Sequence, residues 1–176
     1  MPKPLDRNGL MTFAAQALSA RALTISELRE KLKRRAAEPA DIDEVLARLK
    51  ESGYLNDQRF SESYASWRRD DGGFGKTRVL RDLMARRVPP AVAKKAAEAA
   101  FEGADEVAMI EAFLKRKYRG KDLGALLKEE KHLASAYRKL RTAGFSTGSS
   151  IRVLKRYAEQ AEMLEDNDED SSTQTD

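Results

Sequence analysis

The 176-residue chain contains no cysteine and one histidine, which excludes disulfides, cysteine nucleophiles and the usual zinc and catalytic-triad arrangements. Its 33 lysines and arginines outnumber its 29 aspartates and glutamates, and the net charge of +4 favours an anionic partner. Because the last twelve residues carry several carboxylates and no basic residue, the rest of the chain is more basic still.

Residues 10–55 predict a first unit of three short helices, each with one apolar face. Thr24 and Glu27 form a capping box, in which each side chain accepts a hydrogen bond from the other residue's backbone N–H, so a second helix is predicted to begin there. Pro39 suits the first position of the third helix, where its missing N–H is not needed. Gly53 suits the end of that helix, because a left-handed residue often terminates helices.

Residues 56–103 predict a second unit of the same kind. Asn56 is predicted to cap its first helix. In that helix Phe60, Tyr64 and Trp67 recur at i, i+4 and i+7, which predicts burial on one face. The alternative for these aromatic side chains is stacking on nucleic-acid bases. The arginines that fall outside the aromatic face are predicted to be solvated.

Packing is also predicted for apolar residues before and after this helix. Tyr54 and Leu55 are predicted to fold back onto the preceding helix end as its hydrophobic contact. Met84 lies on the apolar face of the next helix and is predicted to be buried. Pro89 limits that helix, and Pro90 can open the following one as its first residue.

The loop over residues 72–77 reads Gly-Gly-Phe-Gly-Lys-Thr, which at first sight resembles a phosphate-binding P-loop. The P-loop pattern requires a glycine five places before Gly75, where this chain has Asp70. It also requires a buried strand upstream, where this chain has the polar end of a predicted helix. We therefore expect no nucleotide site here.

Residues 104–164 repeat the three-helix plan and add a final helix. Asp105 is predicted to cap the first helix of this third unit. The string Leu140–Ser146 echoes the string Leu49–Leu55 at a displacement of 91 residues. Few segments alternate between apolar and polar residues as strands do. The predicted fold class is all-α, an elongated array of three tandem three-helix repeats.

Both ends of the chain are predicted to be disordered. Residues 1–9 form a lead-in with two prolines, a glycine and no periodicity. Residues 165–176 form an acidic tail that cannot build a core. No apolar run approaches the roughly 18 residues of a membrane span, and no signal-peptide core is present near the start. We expect a soluble, cytoplasmic protein.

Three short motifs occur together in this chain: Gly53-Tyr-Leu-Asn-Asp57-Gln-Arg59-Phe60, Gly75-Lys-Thr-Arg-Val79 and Val88-Pro89. In this combination the chain resembles the RecX family, bacterial regulators of the RecA recombinase, over most of residues 10–157. Asp82 and Arg87 depart from the glutamate and glycine that are common in the family. The acidic tail has no family counterpart that we can identify.

The resemblance implies a curved array of helical repeats that lies in the groove of the RecA–DNA filament and impairs its extension or activity. It implies no catalytic residue and no cofactor, hence a non-enzymatic inhibitor that modulates recombination, DNA repair and the SOS response. We expect a monomer whose partner is the RecA filament. The alternatives are a basic helical module that binds single- or double-stranded DNA directly, and a helical-repeat scaffold for an unrelated protein.

The densest basic group is predicted to contact the filament or DNA phosphates and comprises Arg59, Arg68, Arg69, Lys76, Arg78 and Arg81. A second basic group comprises Arg29, Lys33, Arg34, Lys115, Arg116 and Lys117. The alternative is that these are solvated surface charges, with Arg59 paired to Asp57 or Glu62. His132 has no second ligand nearby in sequence, so a capping or solvent role is favoured over metal binding.

Overall fold

The computed structural model describes residues 3–164, and every regular element within them is a helix. The α-helices are α1 Arg7–Ala20, α2 Ile25–Lys33, α3 Pro39–Glu51, α4 Asp57–Asp70, α5 Lys76–Ala85, α6 Pro90–Phe101, α7 Glu106–Lys117, α8 Leu123–Leu126, α9 Glu130–Thr142 and α10 Thr147–Leu154. A 3₁₀ helix, Glu159–Leu164, follows α10. The predicted all-α class is confirmed, and the acidic tail 165–176 lies outside the described residues.

The chain divides into two compact units. The first unit is Met1–Ser66 with Leu80–Ala100, and the second unit is Trp67–Val79 with Phe101–Asp176. Both α4 and α5 therefore contribute to each unit. The division of the chain into three repeats stays a prediction.

The first unit is built on a core in which α1 and α2 pack on α3. Leu28 and Leu46 are fully or almost fully buried there. The predicted capping box of α2 is confirmed: the Thr24 hydroxyl accepts from the Glu27 amide at 3.1 Å, and the Glu27 carboxylate accepts from the Thr24 amide at 3.2 Å. Local sequence alone thus fixes where α2 begins, because both orphan donors find partners within one turn.

The prediction that residues 1–9 are disordered is wrong from Leu5 onward. The Asp6 carboxylate accepts from the Gly9 amide at 2.9 Å, and this cap starts α1 three residues earlier than predicted. The Leu5 amide donates to the Arg35 carbonyl at 2.7 Å. The Asp6 cap precedes the first apolar residues of the helical pattern, so the periodicity does not indicate it. The hydrogen bond between Leu5 and Arg35 depends on the tertiary fold.

The aromatic face predicted for α4 is only partly correct. Phe60 and Tyr64 are half-buried with ring centroids 5.9 Å apart, but 52% of Trp67 is exposed. The fully buried line of α4 runs instead through Ser61 and Ala65, whose small side chains allow close helix packing. The prediction of burial is therefore wrong for Trp67.

Two further apolar predictions need correction. Tyr54 is 73% exposed and does not fold back onto the helix end, although the neighbouring Leu55 is buried as predicted. Met84 is 49% exposed, while Val79 and Leu83 of α5 are fully buried. The buried face of α5 is thus narrower than its apolar pattern, because helix burial depends on which neighbours are present.

The second unit is built around α7, α9 and α10, and its buried core includes Ile110 of α7, Tyr137 of α9 and Phe145 from the turn between α9 and α10. Phe113 packs edge-on against Phe145, with centroids 5.6 Å apart. Asp105 caps α7 as predicted, accepting from the Ala108 amide at 3.0 Å.

Helix α5 begins against the turn that follows α9. The Gly75 amide donates to the Ala143 carbonyl at 2.9 Å, and the Thr77 amide donates to the Gly144 carbonyl at 3.2 Å. These two amides of the P-loop-like sequence therefore donate to backbone oxygens and are not free to bind a phosphate. This junction fixes the position of the first turn of α5 within the second unit.

Glu106 holds the start of α10. Its carboxylate accepts from the Ser146 amide at 2.8 Å and from the Ser146 hydroxyl at 2.6 Å. Burial raises the pKa of Glu106, but the hydrogen bonds from Ser146 and Ser149 and the charge of Arg141 lower it further, so the net shift is downward.

We expect Glu106→Gln to lower the free energy of unfolding by about 1 kcal/mol at neutral pH, since charged hydrogen bonds are lost. Because the folded-state pKa is depressed, this stabilisation is present above the unfolded pKa and is lost as the pH falls from about 5 towards 3. Urea titrations across this range should therefore show a steeper acid dependence for the native chain than for the variant. Glu102→Gln, which alters an exposed carboxylate, is the control, and equal acid slopes for native chain and Glu106→Gln would contradict the prediction.

Candidate anion-binding groove

A groove of about 680 Å³ lies in the second unit, between side chains of α5, α7 and α9 and the loop before α5. Phe74 and Phe113 contribute aromatic surface to its lining. Its charged lining residues are all basic: Arg78, Arg116, Lys117, Arg138 and Lys139. We call these five side chains and the space between them the cationic groove.

Neutral partners hold several of these cations. Arg78 donates to the Thr142 carbonyl at 3.3 Å, and Arg116 donates to the Gly72 carbonyl at 2.9 Å. Lys139 donates to the Tyr118 hydroxyl at 3.1 Å. A carbonyl or hydroxyl partner orients a cation without cancelling its charge. The groove is thus ordered in part before any anion arrives.

Guanidinium groups lie close to the aromatic rings of the groove. The Arg68 guanidinium lies 4.2 Å from the Phe74 ring centroid, and that of Arg78 lies 5.5 Å from it. Arg116 lies 5.8 Å from the Phe113 centroid. These cation–π contacts explain why Arg68 is half-buried, contrary to the prediction that it is solvated. They also mean that the groove presents charge next to its aromatic surface.

Four of the five cations of the groove have no carboxylate partner among the side chains that the structure describes. These four are Arg116, Lys117, Arg138 and Lys139. A neighbouring hollow of about 500 Å³ in the same unit differs, because Asp70, Glu102 and Asp105 contribute to its lining. Such a concentration of one sign of charge attracts anions.

The structure brings together residues from both predicted basic groups. Arg78 comes from the first group, and Arg116 and Lys117 come from the second. Arg138 and Lys139 were missed by sequence reasoning, although they are adjacent basic residues on the polar side of a clearly amphipathic helix. That signal is weak, since such pairs are common on solvated helix faces.

Other members of the first group have local partners or lie elsewhere. Arg59, in the first unit, donates to the Gly53 carbonyl at 2.8 Å, so its partner is the end of α3 rather than Asp57 or Glu62. Arg69 is half-buried rather than solvated and pairs with Asp70 at 2.6 Å, which lowers the pKa of that carboxyl. Lys76 and Arg81 are exposed, in the second and first units respectively, and do not line the groove.

The second basic group is also divided. Arg29 pairs with Asp43 at 2.7 Å, and Lys33 pairs with Glu30 at 2.9 Å. Arg34 lines a hollow of the first unit that Glu27 and Glu30 also line. Lys115 is exposed on α7 and does not line the cationic groove.

The part of the chain that the structure describes contains no group of three or more histidines, cysteines, aspartates or glutamates placed to hold a metal ion. His132 lies 3.4 Å from the Glu129 carboxylate at the start of α9. None of the helices between residues 3 and 164 is long and apolar enough to cross a membrane.

The fold and the groove define an all-helical protein with a basic groove in its second unit. The profile of the RecX first three-helix domain matches residues 12–49, and that of the RecX second three-helix domain matches residues 56–96. The regulatory protein RecX of Deinococcus radiodurans is 31% identical over 88% of this chain and 71% of its own length. That of Trichlorobacter lovleyi is 30% identical over 62% of this chain and 71% of its own length.

The chain belongs to the RecX family. A crystal structure of RecX from Lactobacillus salivarius matches its fold with a TM-score of 0.64 and 18% identity, covering 86% of this chain and 96% of the other. A crystal structure of another regulatory protein RecX matches with a TM-score of 0.68 and 17% identity, covering 84% of this chain and 72% of the other. The relatives carry the name of regulatory proteins, and the predicted family is confirmed.

Proposed function

We propose that this chain binds RecA–DNA filaments and, without catalysing a reaction, lowers their ATPase activity, strand exchange and extension. Membership of the RecX family supports the choice of partner. The observation that carries the proposal is the cationic groove, which is lined by five basic side chains and, among the residues that the structure describes, by no carboxylate. A protein–DNA filament offers phosphates and carboxylates, the groups that arginine and lysine bind. Such a regulator would restrain recombination during DNA repair and the SOS response.

The test is the DNA-dependent ATPase of RecA, measured with this protein added from substoichiometric to equimolar amounts. We expect the ATPase rate to fall across this range and filaments seen by electron microscopy to shorten. Unchanged rates together with unchanged filament lengths would contradict the proposed function.

Direct binding to DNA is the second candidate, and the exposed Lys117 and Arg138 favour it. Each phosphate that is neutralised releases counterions, so binding to a naked single strand should weaken by about 0.7 log units per contact for each tenfold rise in salt. Fluorescence anisotropy with a labelled oligothymidylate at several salt concentrations measures this slope. Absence of binding to the naked strand, together with binding to RecA–DNA filaments, would contradict the second candidate and leave the first.

A further inference from the structure

We propose that the acidic segment of this chain, residues 165–176, docks into the cationic groove and competes there with the anionic partner. This inference concerns regulation of the same groove, and its biological meaning rests on the proposed function. The docking itself needs only the groove and the segment, so the two proposals are tested separately.

Charge complementarity is the first argument. The acidic segment contains no lysine, arginine or histidine, and its carboxylates are Glu165, Asp166, Asp168, Glu169, Asp170 and Asp176. Among the described residues, the groove is lined by five cations and no carboxylate. Guanidinium and ammonium groups bind carboxylate oxygens through charge-assisted hydrogen bonds. The segment and the groove therefore carry matched chemistry of opposite sign.

Reach is the second argument. Leu164, the last described residue, is only 9% exposed and belongs to the apolar cluster against which Phe74 and Phe113 of the groove also pack. Residues 165–176 span up to about 40 Å when extended. A compact unit of at most 100 residues has a radius of gyration of no more than about 13 Å. The segment is therefore long enough to reach the groove from its anchor within the same unit.

The groove is also a better binding site for the acidic segment than the neighbouring hollow of the second unit. Asp70, Glu102 and Asp105 in that hollow would repel further carboxylates. In the groove, Lys117 and Arg138 are exposed and have no ion-pair partner within residues 3–164. Tethering gives the segment a high effective concentration, while exposed ion pairs are individually weak. Docking of this kind competes with a partner without blocking it permanently.

The first experiment measures binding of a fluorescein-labelled octa-aspartate peptide to the full chain by anisotropy. Its comparison variant carries amides at all six acidic positions of the segment, Glu→Gln and Asp→Asn. We expect the variant to bind the peptide about tenfold more tightly at low salt, with the difference shrinking as salt screens the charges. Equal affinities would overturn the proposal.

A groove variant separates docking from an overall charge effect. The six amide substitutions are combined with the groove variant Lys117→Gln/Arg138→Gln. In that background they should change the affinity for the peptide less than twofold, because the docking site is already impaired. In the matched control Lys121→Gln/Lys131→Gln, which removes two exposed lysines outside the groove, the tenfold difference should persist. A tenfold difference that persists in the groove variant would overturn the proposal, since the segment would then act through net charge.

Cross-linking supplies a direct readout, because the native chain has no cysteine. Ser135→Cys places a thiol at the groove, and Ser171→Cys places one in the acidic segment. We expect disulfide formation between them to be at least fivefold faster than for the control pair Ala108→Cys and Ser171→Cys, with Ala108 exposed on α7 outside the groove. Equal rates would overturn the docking, whereas an unchanged RecA ATPase would bear only on the proposed function.

Discussion

Reversing the charges of Lys117 and Arg138 to glutamate is expected to weaken inhibition of the RecA ATPase by at least about tenfold, or roughly 1.4 kcal/mol of binding free energy. Both side chains line the cationic groove, are exposed, and have no ion-pair partner within residues 3–164. Reversal replaces two attractions to an anionic partner by two repulsions, while the core beneath is untouched. The measurement is the protein concentration that halves the DNA-dependent ATPase rate.

The matched control is Lys121→Glu/Lys131→Glu, which makes the same change in net charge on the same unit. Both lysines are exposed and lie outside the groove. The control should shift the inhibitory concentration less than threefold, because screened charges at a distance contribute little at moderate salt. Equal losses in the two double variants would show that overall charge, rather than the groove, governs binding.

Replacement of Gly144 by alanine is expected to give the largest loss of stability of any change considered, about 3 kcal/mol or more. Gly144 has a φ of +91°, which side chains with a Cβ rarely adopt. A Cβ at this position would also overlap the backbone of Arg78 in the first turn of α5. Because both obstacles are backbone atoms or angles, a side-chain rotation cannot relieve them. Urea unfolding of the variant should show the loss.

Gly120→Ala is the control for this prediction. Gly120 lies in the turn that follows α7 in the same unit and has a φ of +79°, but a Cβ there would meet no atom within 4 Å. Its expected cost is only the backbone strain, roughly 1 kcal/mol. The difference between the two variants therefore isolates the close approach of Gly144 to α5. Equal costs for the two variants would mean that this contact does not stabilise the second unit.

Helix boundaries could be predicted where the signal lies within one turn. The capping box at Thr24, the caps at Asn56 and Asp105, and the opening proline at Pro39 all occur where the pattern indicates. Each depends on hydrogen bonds or backbone restrictions between residues at most four positions apart. Trp67 illustrates the limit of such reasoning, because its exposure depends on which helices approach α4.

From the sequence, the basic surface could be predicted only as an excess of positive charge and not as a particular set of residues that lie together. Arg59, Arg69 and Arg78 look equivalent in the sequence, yet Arg59 belongs to the first unit, Arg69 pairs with a carboxylate, and Arg78 lines the groove. Arg138 and Lys139 could not be singled out in the sequence, because an adjacent basic pair on the polar side of an amphipathic helix is common on solvated surfaces. Whether a cation is engaged depends on partners that can be distant in the chain, as Thr142 is from Arg78.

The sequence by itself determined the all-α class, the beginnings and ends of most helices, the family and the excess of positive charge. Those properties depend on short-range periodicity, capping and composition, all of which can be read directly from the sequence. Only the tertiary structure decided which cations form one groove, because α5, α7 and α9 supply them from three separate stretches. Packing of these helices around Phe145 and its neighbours fixes that arrangement, and helix packing is set by long-range contacts that no local pattern encodes.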